Sequence, residues 1–301
     1  MIPLKILGFP RSGTSLLQRL LTAHPDLHCP PETYVFSGMA RMIRESSGEG
    51  PDLGMLTGLA FSGFEEEEVL ARIRALGFGF LGEAAAAAGK AGWAEKSAFD
   101  IFDIAEIETL LAGHCRFICV VRNPLDVIAS MKELTDQMGQ NVPEMRPWMA
   151  QHENYYVAWA AAWRDLTGQL LAMHERLGDQ SLVYRYEDLI ADPELVLGKI
   201  TEFADIKPFD GLPRPDNSQI GLGDWKIFAT EGVRKDSLSR WRKSLPRSSA
   251  RACLEILEPL MVQLGYDIPR ISAPLSRQAR ISQYQRAKQM SLELREKNAG
   301  K

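Results

Sequence analysis

Residues 5–21 read KILGFPRSGTSLLQRLL, and this stretch decides the fold. Leu4, Ile6, Leu7 and Phe9 form a short apolar run of the kind that makes a buried strand. Pro10, Arg11, Ser12 and Gly13 follow as a small-residue turn. From Thr14 the period changes, and Leu16, Leu17, Leu20 and Leu21 fall on one helical stripe. A strand that turns through Gly, Ser and Thr into a helix aims backbone N–H groups and the positive helix end at one point. That point suits a phosphate.

The loop resembles a nucleotide-triphosphate P-loop but departs from it at one position. The pattern G-x-x-x-x-G-K-[ST] would run from Gly8 to Ser15, and Thr14 stands where the lysine belongs. That lysine normally serves the β/γ-phosphates, with the next hydroxyl on Mg²⁺. Here the cation is Arg11, inside the loop. The reading is a site for a phosphate ligand other than ATP, without metal. The plainer alternative is an ordinary strand-turn-helix with a surface arginine.

Outward from the loop, the 301 residues are 45% hydrophobic and 25% charged, enough apolar material for one large α/β domain or two smaller ones. A net charge of −4 argues against nucleic acid as the main partner. Cys29, Cys115, Cys119 and Cys253 show no CxxC pairing, which favours free thiols and a reducing compartment. No apolar stretch is long enough to span a bilayer, and the chain enters its first strand without a signal peptide, so the expectation is cytoplasmic.

Arg116–Val121 (RFICVV) reads as a second strand, covered on both faces. Asn123-Pro124 then caps a helix with Asp126 at its third position. Residues 153–177 read as a long helix, Ser181–Tyr186 as a third strand, 192–204 and 248–264 as helices, and 207–224 as a loop. Residues 38–92 read as helical with glycine interruptions, the acidic run Glu65–Glu68 being the solvated first turn of a helix. Strands alternating with helices predict an α/β fold: a three-layer, P-loop-type parallel sheet flanked by helices on both faces. The expected organisation is one domain over residues 1–270 and a basic helical extension over 271–301 that could pair two chains as a homodimer.

A second anion-binding motif is Arg122-Asn123-Pro124-Leu125-Asp126, with Ser130 one turn beyond Asp126 on the same helix face. It too lies where a strand ends and a helix begins, the place where ligands collect in open α/β sheets. Arg122 can grip a phosphate with two parallel hydrogen bonds, or pair with a core carboxylate. Two phosphate sites on successive strand ends imply a ligand with two separate phosphate groups.

At these residues the chain resembles the sulfotransferases. GFPRSGTSLL is similar to their 5′-phosphosulfate loop and VVRNPLDVIAS to their 3′-phosphate motif. The resemblance runs along most of residues 4–245 and includes Tyr186-Glu187-Asp188-Leu189 and the segment Gly223–Trp241. It implies 3′-phosphoadenylyl sulfate (PAPS) as co-substrate. Arg11, Ser12, Gly13, Thr14 and Ser15 would cradle the 5′-phosphosulfate, and Arg122 and Ser130 would hold the 3′-phosphate. Tyr186 would lie near the adenine, and Lys226, Arg234 and Arg240 would supply a basic lid. In the tyrosylprotein and carbohydrate group, HPD and a Glu-Thr pair follow the loop; here these are His24-Pro25-Asp26 and Glu32-Thr33. The resemblance makes Glu32 the general base. Lys96, in Glu95-Lys96-Ser97, would assist the sulfuryl group, with Ala98 where proline is often seen.

The chemistry asks for these residue types. Sulfuryl transfer, like phosphoryl transfer, is an in-line displacement that depends on positioning and electrostatic stabilisation. Arg11 and Lys96 can serve the lower charge of a sulfuryl group without a metal. The acceptor hydroxyl needs a base, and a partly buried carboxylate with a raised pKa would suit.

Other readings stay open on sequence alone. Glu32 could cap a helix, Lys96 could pair with Glu95 or Asp100 on the surface, and Tyr186 could simply pack in its strand. His28 and His152 are rival bases, and the five histidines lack metal spacing. Trp148, Trp159 and Trp163 suit a core or an acceptor pocket. A P-loop kinase using ATP and Mg²⁺, or a non-catalytic nucleotide-binding protein, are the rival functions. The expected acceptor is a small-molecule, glycan or peptide hydroxyl, in a pocket built by residues 34–92 and 133–155.

Overall fold

The computed structural model describes residues 3–44, 54–215 and 237–272, and part of a helical stretch between 278 and 290. In chain order its elements are β1 (Leu4–Leu7), α1 (Thr14–Thr22), β2 (Leu27–His28), α2 (Val35–Ile43), α3 (Met55–Ala60), α4 (Glu66–Ala87), β3 (Gly92–Glu95), α5 (Ile104–Leu111), β4 (Arg116–Val121) and α6 (Pro124–Met138). These are followed by α7 (Arg146–Gln151), α8 (Tyr155–Leu177), β5 (Ser181–Arg185), α9 (Tyr186–Ala191), α10 (Pro193–Ala204), α11 (Trp241–Ser244) and α12 (Arg247–Gln263).

The strands form one sheet in the order β2-β3-β1-β4-β5, with every pairing parallel. Along β1 and β4, successive side chains go to opposite faces. Leu4, Ile6, Ile118 and Val120 pack with Leu17, Leu20 and Leu21 of α1 and with α9 and α10. Leu7, Phe117, Cys119 and Val121 pack on the other face with α2, α4, α5, α6, α8 and α12. That gives the expected three layers. Trp159 and Trp163 of α8 belong to the core, while Trp148 is partly buried and donates to Asp165 Oδ2 at 2.8 Å.

Three strands depart from the sequence reading. Residue 92 closes the stretch read as helical and 93–95 belong to no element of that reading, but residues 92–95 (GWAE) form β3, beside β1; Leu27–His28 is a two-residue edge strand. The strand read as Ser181–Tyr186 ends at Arg185, and Tyr186 opens α9.

Register explains why a charged residue can sit in β1. Lys5 lies opposite Glu95 across the β1–β3 pair, and its ammonium bridges the carboxylates of Glu95 and Asp100, all three fully buried. Burial alone would lower the Lys5 pKa, but the two carboxylates raise it. Burial pushes Asp100 up to about 6, against the pull of Lys5. Ser37 also donates to Asp100, and the Lys5 ammonium lies 5.1 Å from the Phe36 ring centroid.

The four cysteines are buried and free. Among the described residues, no helix is long and apolar enough to cross a membrane.

Candidate active site

A parallel sheet brings the carboxyl ends of its strands to one edge. Here the chain leaves β1, β3, β4 and β5 at Gly8, Lys96, Arg122 and Tyr186 respectively. Strand order reverses beside β1, the position where open α/β sheets form a crevice.

The first turn is tightly built. The Ser12 N–H donates to the Phe9 carbonyl at 3.0 Å, while Arg11 (φ 72°) and Gly13 (φ 100°) take left-handed backbone conformations. A Cβ on Gly13 would lie 2.2 Å from the Tyr186 ring, so only glycine fits. Gly13 caps α1 without a side-chain acceptor, so the first N–H groups of the helix face the turn. Ser12 Oγ is buried and has no partner among the described residues.

Arg11 Nε donates to Ser130 Oγ at 3.1 Å, joining the first motif to the second. Ser130 and Asp126 share the α6 face that the sequence predicts. Asn123 caps α6 by accepting from the Leu125 N–H at 3.0 Å. Arg122 pairs with no carboxylate among the described residues. Its Nη1 donates to the Arg11 carbonyl at 2.9 Å and its Nη2 to the Ser237 carbonyl at 2.8 Å, while its guanidinium stacks 4.4 Å from the Tyr186 ring centroid. The buried Arg122 Nε has no partner among the described residues. Tyr186 donates to Ser237 Oγ at 3.0 Å, so it does more than pack in a strand.

The segment after residue 236 is fixed from the other side by Asp126. Its two carboxylate oxygens accept the N–H groups of Ser239 at 2.8 Å and Trp241 at 3.0 Å. Arg240 is 44% exposed and pairs with Glu133 of α6 at 2.6 Å, so the structure does not bring it to the turn. Lys226 and Arg234 lie outside the described residues.

Lys96 and Glu32 come together. The Lys96 ammonium donates to Glu32 Oε1 and, at 3.0 Å, to Ser15 Oγ at the start of α1. The pair is buried, with side-chain exposures of 3% and 9%. Lys96 therefore pairs with neither Glu95 nor Asp100, and Glu32 caps no helix, since α2 begins without a side-chain cap. Successive residues at the end of β3 divide the work: Glu95, the last of the strand, pairs with Lys5, and Lys96, the next, reaches Ser15 and Glu32.

Glu32 is held from both sides. Gln18 of α1 donates to the Pro30 carbonyl. Thr33 donates to Glu95 Oε1 at 2.9 Å, and Ser97 Oγ both accepts the Tyr34 N–H at 3.0 Å and donates to Glu95 Oε1 at 2.6 Å. Two further donors reach Glu32: the Tyr34 hydroxyl to Oε2 at 2.7 Å and the Ala98 N–H to Oε1 at 3.3 Å.

This overturns one expectation. Burial does push the Glu32 pKa up, but Lys96, Tyr34 and the Ala98 N–H together bring it below the ordinary value. In this state Glu32 is an ionised, weakened base. The rival base His28 sits on the edge strand β2, where burial and the nearby Lys90 charge lower its pKa.

Sequence reasoning assigns no role to Tyr34, Ser97 or Ser237, and offers Glu95 only as a surface partner of Lys96. Glu95 and Ser97 flank a named residue, which was the available signal; Tyr34 and Ser237 carried none.

The fold is an open parallel α/β sheet with the start of α1 at the turn after β1 and the buried Lys96–Glu32 ion pair beside it. The sulfotransferase family model matches residues 3–211, and the chain belongs to that family. It is therefore a transferase that moves a sulfuryl group from PAPS to an acceptor, and the kinase and non-catalytic readings are not favoured. Protein-tyrosine sulfotransferase 1 of Danio rerio is 24% identical over 277 residues, covering 89% of this chain and 72% of the relative. Nodulation protein NoeE of Sinorhizobium fredii is 25% identical over 278 residues, covering 87% of this chain and 65% of the relative. The fold is similar to that of the sulfotransferase domain from the curacin biosynthetic pathway, with a TM-score of 0.60 and 20% identity, covering 89% of this chain and 98% of that one.

Proposed function

We propose that the sulfuryl group passes to an acceptor hydroxyl at Glu32, between Lys96 and the turn that follows β1. The observation that carries this reading is the Lys96 ammonium, which touches both the Glu32 carboxylate and the Ser15 hydroxyl of that turn. One cation thus links the base that would take the acceptor's proton to the cradle that would hold the transferring group.

PAPS supplies the sulfuryl group and presents two anionic ends. Two buried polar atoms without partners among the described residues, Ser12 Oγ and Arg122 Nε, fit that demand. Arg11, Ser12, Gly13, Thr14 and Ser15 receive the phosphosulfate end. Arg122 and Ser130 receive the 3′-phosphate, and Tyr186 borders the adenine. Arg11 serves both ends, through its own charge and its contact with Ser130. Lys226, Arg234 and Arg240 remain candidates for the phosphates, Arg240 only by leaving Glu133.

Glu32 takes the acceptor proton. Lys96 is the strongest of the influences lowering its pKa. When the ammonium turns toward the charge developing on the transferring group, Glu32 becomes more basic. Base strength is thereby tied to the presence of donor.

The acceptor is a small-molecule, glycan or peptide hydroxyl; the relatives named as protein-tyrosine sulfotransferases support including a tyrosyl hydroxyl in that range. We assign residues 1–270 to one domain and 271–301 to a helical extension, and favour a cytoplasmic setting on the four free thiols. A homodimer through the extension rests on its basic, helix-prone composition. The test is a screen of labelled PAPS over acceptor classes with Glu32→Gln as the control. Equal transfer by wild type and variant would remove Glu32 from the mechanism.

A further inference from the structure

Glu32 has two carboxylate oxygens in unlike surroundings. Oε1 is taken by the Lys96 ammonium and by the Ala98 N–H. Oε2 accepts the Tyr34 hydroxyl at 2.7 Å. An acceptor using Glu32 as its base must donate to the oxygen that faces away from Lys96, and the chain's own phenol already donates there. Tyr34 is 41% exposed, so solvent reaches this side of the Glu32 carboxylate. Its backbone is fixed: φ is 53°, and the N–H is held by Ser97 Oγ. The ring is thus presented by a rigid turn, while its exposed face leaves the side chain room to adjust.

Those contacts give a phenol what an acceptor needs. It is a nucleophile, hydrogen-bonded to the proposed base and separated from the Ser15 end of the cradle by only the Glu32–Lys96 pair. A group tethered in this way has a high effective concentration.

We propose that Tyr34 is a self-sulfation site, modified by the chain that carries it when donor is bound and no acceptor is present. The proposal rests on the sulfuryl-transfer reading above. The phenolic oxygen forms a bond to the donor's sulfur, and the bond from sulfur to the 5′-phosphate oxygen breaks. The phenolic proton passes to Glu32 Oε2, and adenosine 3′,5′-bisphosphate leaves. The product is a tyrosine O-sulfate beside Glu32, which blocks the base until the side chain moves away.

The test incubates the full chain with PAPS and no acceptor, and maps the modified peptide by mass spectrometry. One sulfuryl group is expected on Tyr34, at a rate independent of enzyme concentration. Tyr34→Phe gains no mass. Glu32→Gln slows the gain by about 10²–10⁴-fold, while still binding adenosine 3′,5′-bisphosphate in a titration. Wild-type protein that binds donor product but stays unmodified at Tyr34 overturns the proposal and leaves the functional reading standing. Labelling at another residue, or at a rate that rises with enzyme concentration, also overturns it. Protein that binds neither donor nor product takes both readings down together.

Discussion

Replacing Gly13 by alanine tests the join between the turn and the second motif, because two separate costs arise at one atom. The backbone φ of 100° is one an L side chain rarely adopts, at a cost of about 1–2 kcal/mol. The added Cβ would also lie 2.2 Å from Tyr186 Cδ2 and 2.6 Å from Cε2, so the buried ring must move. Overpacking of that kind costs about 1–3 kcal/mol, bringing the total to about 2–5 kcal/mol. A domain of ordinary stability survives this and still folds. The moved ring, however, gives up its stack on Arg122 and its hydrogen bond to Ser237. Thermal unfolding with and without adenosine 3′,5′-bisphosphate separates the two effects. At roughly 2 °C per kcal/mol for a chain of this size, the melting point falls by about 4–10 °C. The affinity for the bisphosphate falls at least about tenfold, the equivalent of 1.4 kcal/mol. A variant that melts and binds like wild type would refute the close approach of Gly13 to Tyr186.

Other substitutions probe the remaining parts. Lys96→Met leaves the buried Glu32 without its cation; the Glu32 pKa rises, and the acid limb of the kcat/KM–pH profile moves to higher pH, while an unmoved limb would show that Glu32 does not titrate there. Because the folded-state pKa of Glu32 is depressed, its contribution to stability is present above the ordinary carboxylate value and lost as pH falls through the folded value, so acid unfolding of Lys96→Met begins at higher pH than that of wild type. Asp100 has the opposite sign. Its pKa rises from 3.8 to about 6, so its contribution is full below 3.8 and lost as pH climbs through 6; denaturant titrations should show Asp100→Asn gaining on wild type across that window, and a constant difference would contradict the shift. Asp126→Ala frees the Ser239 and Trp241 N–H groups, costing about 1–3 kcal/mol in the same titration.

What the sequence made legible followed local signals. β1 and β4 are mainly apolar, interrupted only by Lys5 in β1 and opened by Arg116 in β4, and α1, α6 and α10 announce themselves by period and by caps such as Asn123 and Asp192. β3 was hidden because GWAE is short, follows an alanine-rich helix and ends in a buried charge. A glutamate reads as surface unless its partner is known, and Lys5 lies 90 residues away. The same distance effect hid the pairing of Glu32 with Lys96: resemblance named each residue, but only folding made them neighbours and reversed the expected shift of the Glu32 pKa. Tyr34 was missed because a left-handed tyrosine carries no local signature. Arg122 was read as a phosphate grip, and its ties to two backbone carbonyls depend on how the turn and residue 237 are brought to it.

We infer that the ends of β1 and β4 together recognise a nucleotide phosphorylated at both its 5′ and 3′ positions. Calorimetric titration of the purified chain with adenosine 3′,5′-bisphosphate and with 5′-AMP compares the two ends directly. The bisphosphate is expected to bind at least about tenfold tighter than 5′-AMP, and Ser130→Ala to narrow the gap. Equal affinity for the two nucleotides would contradict it.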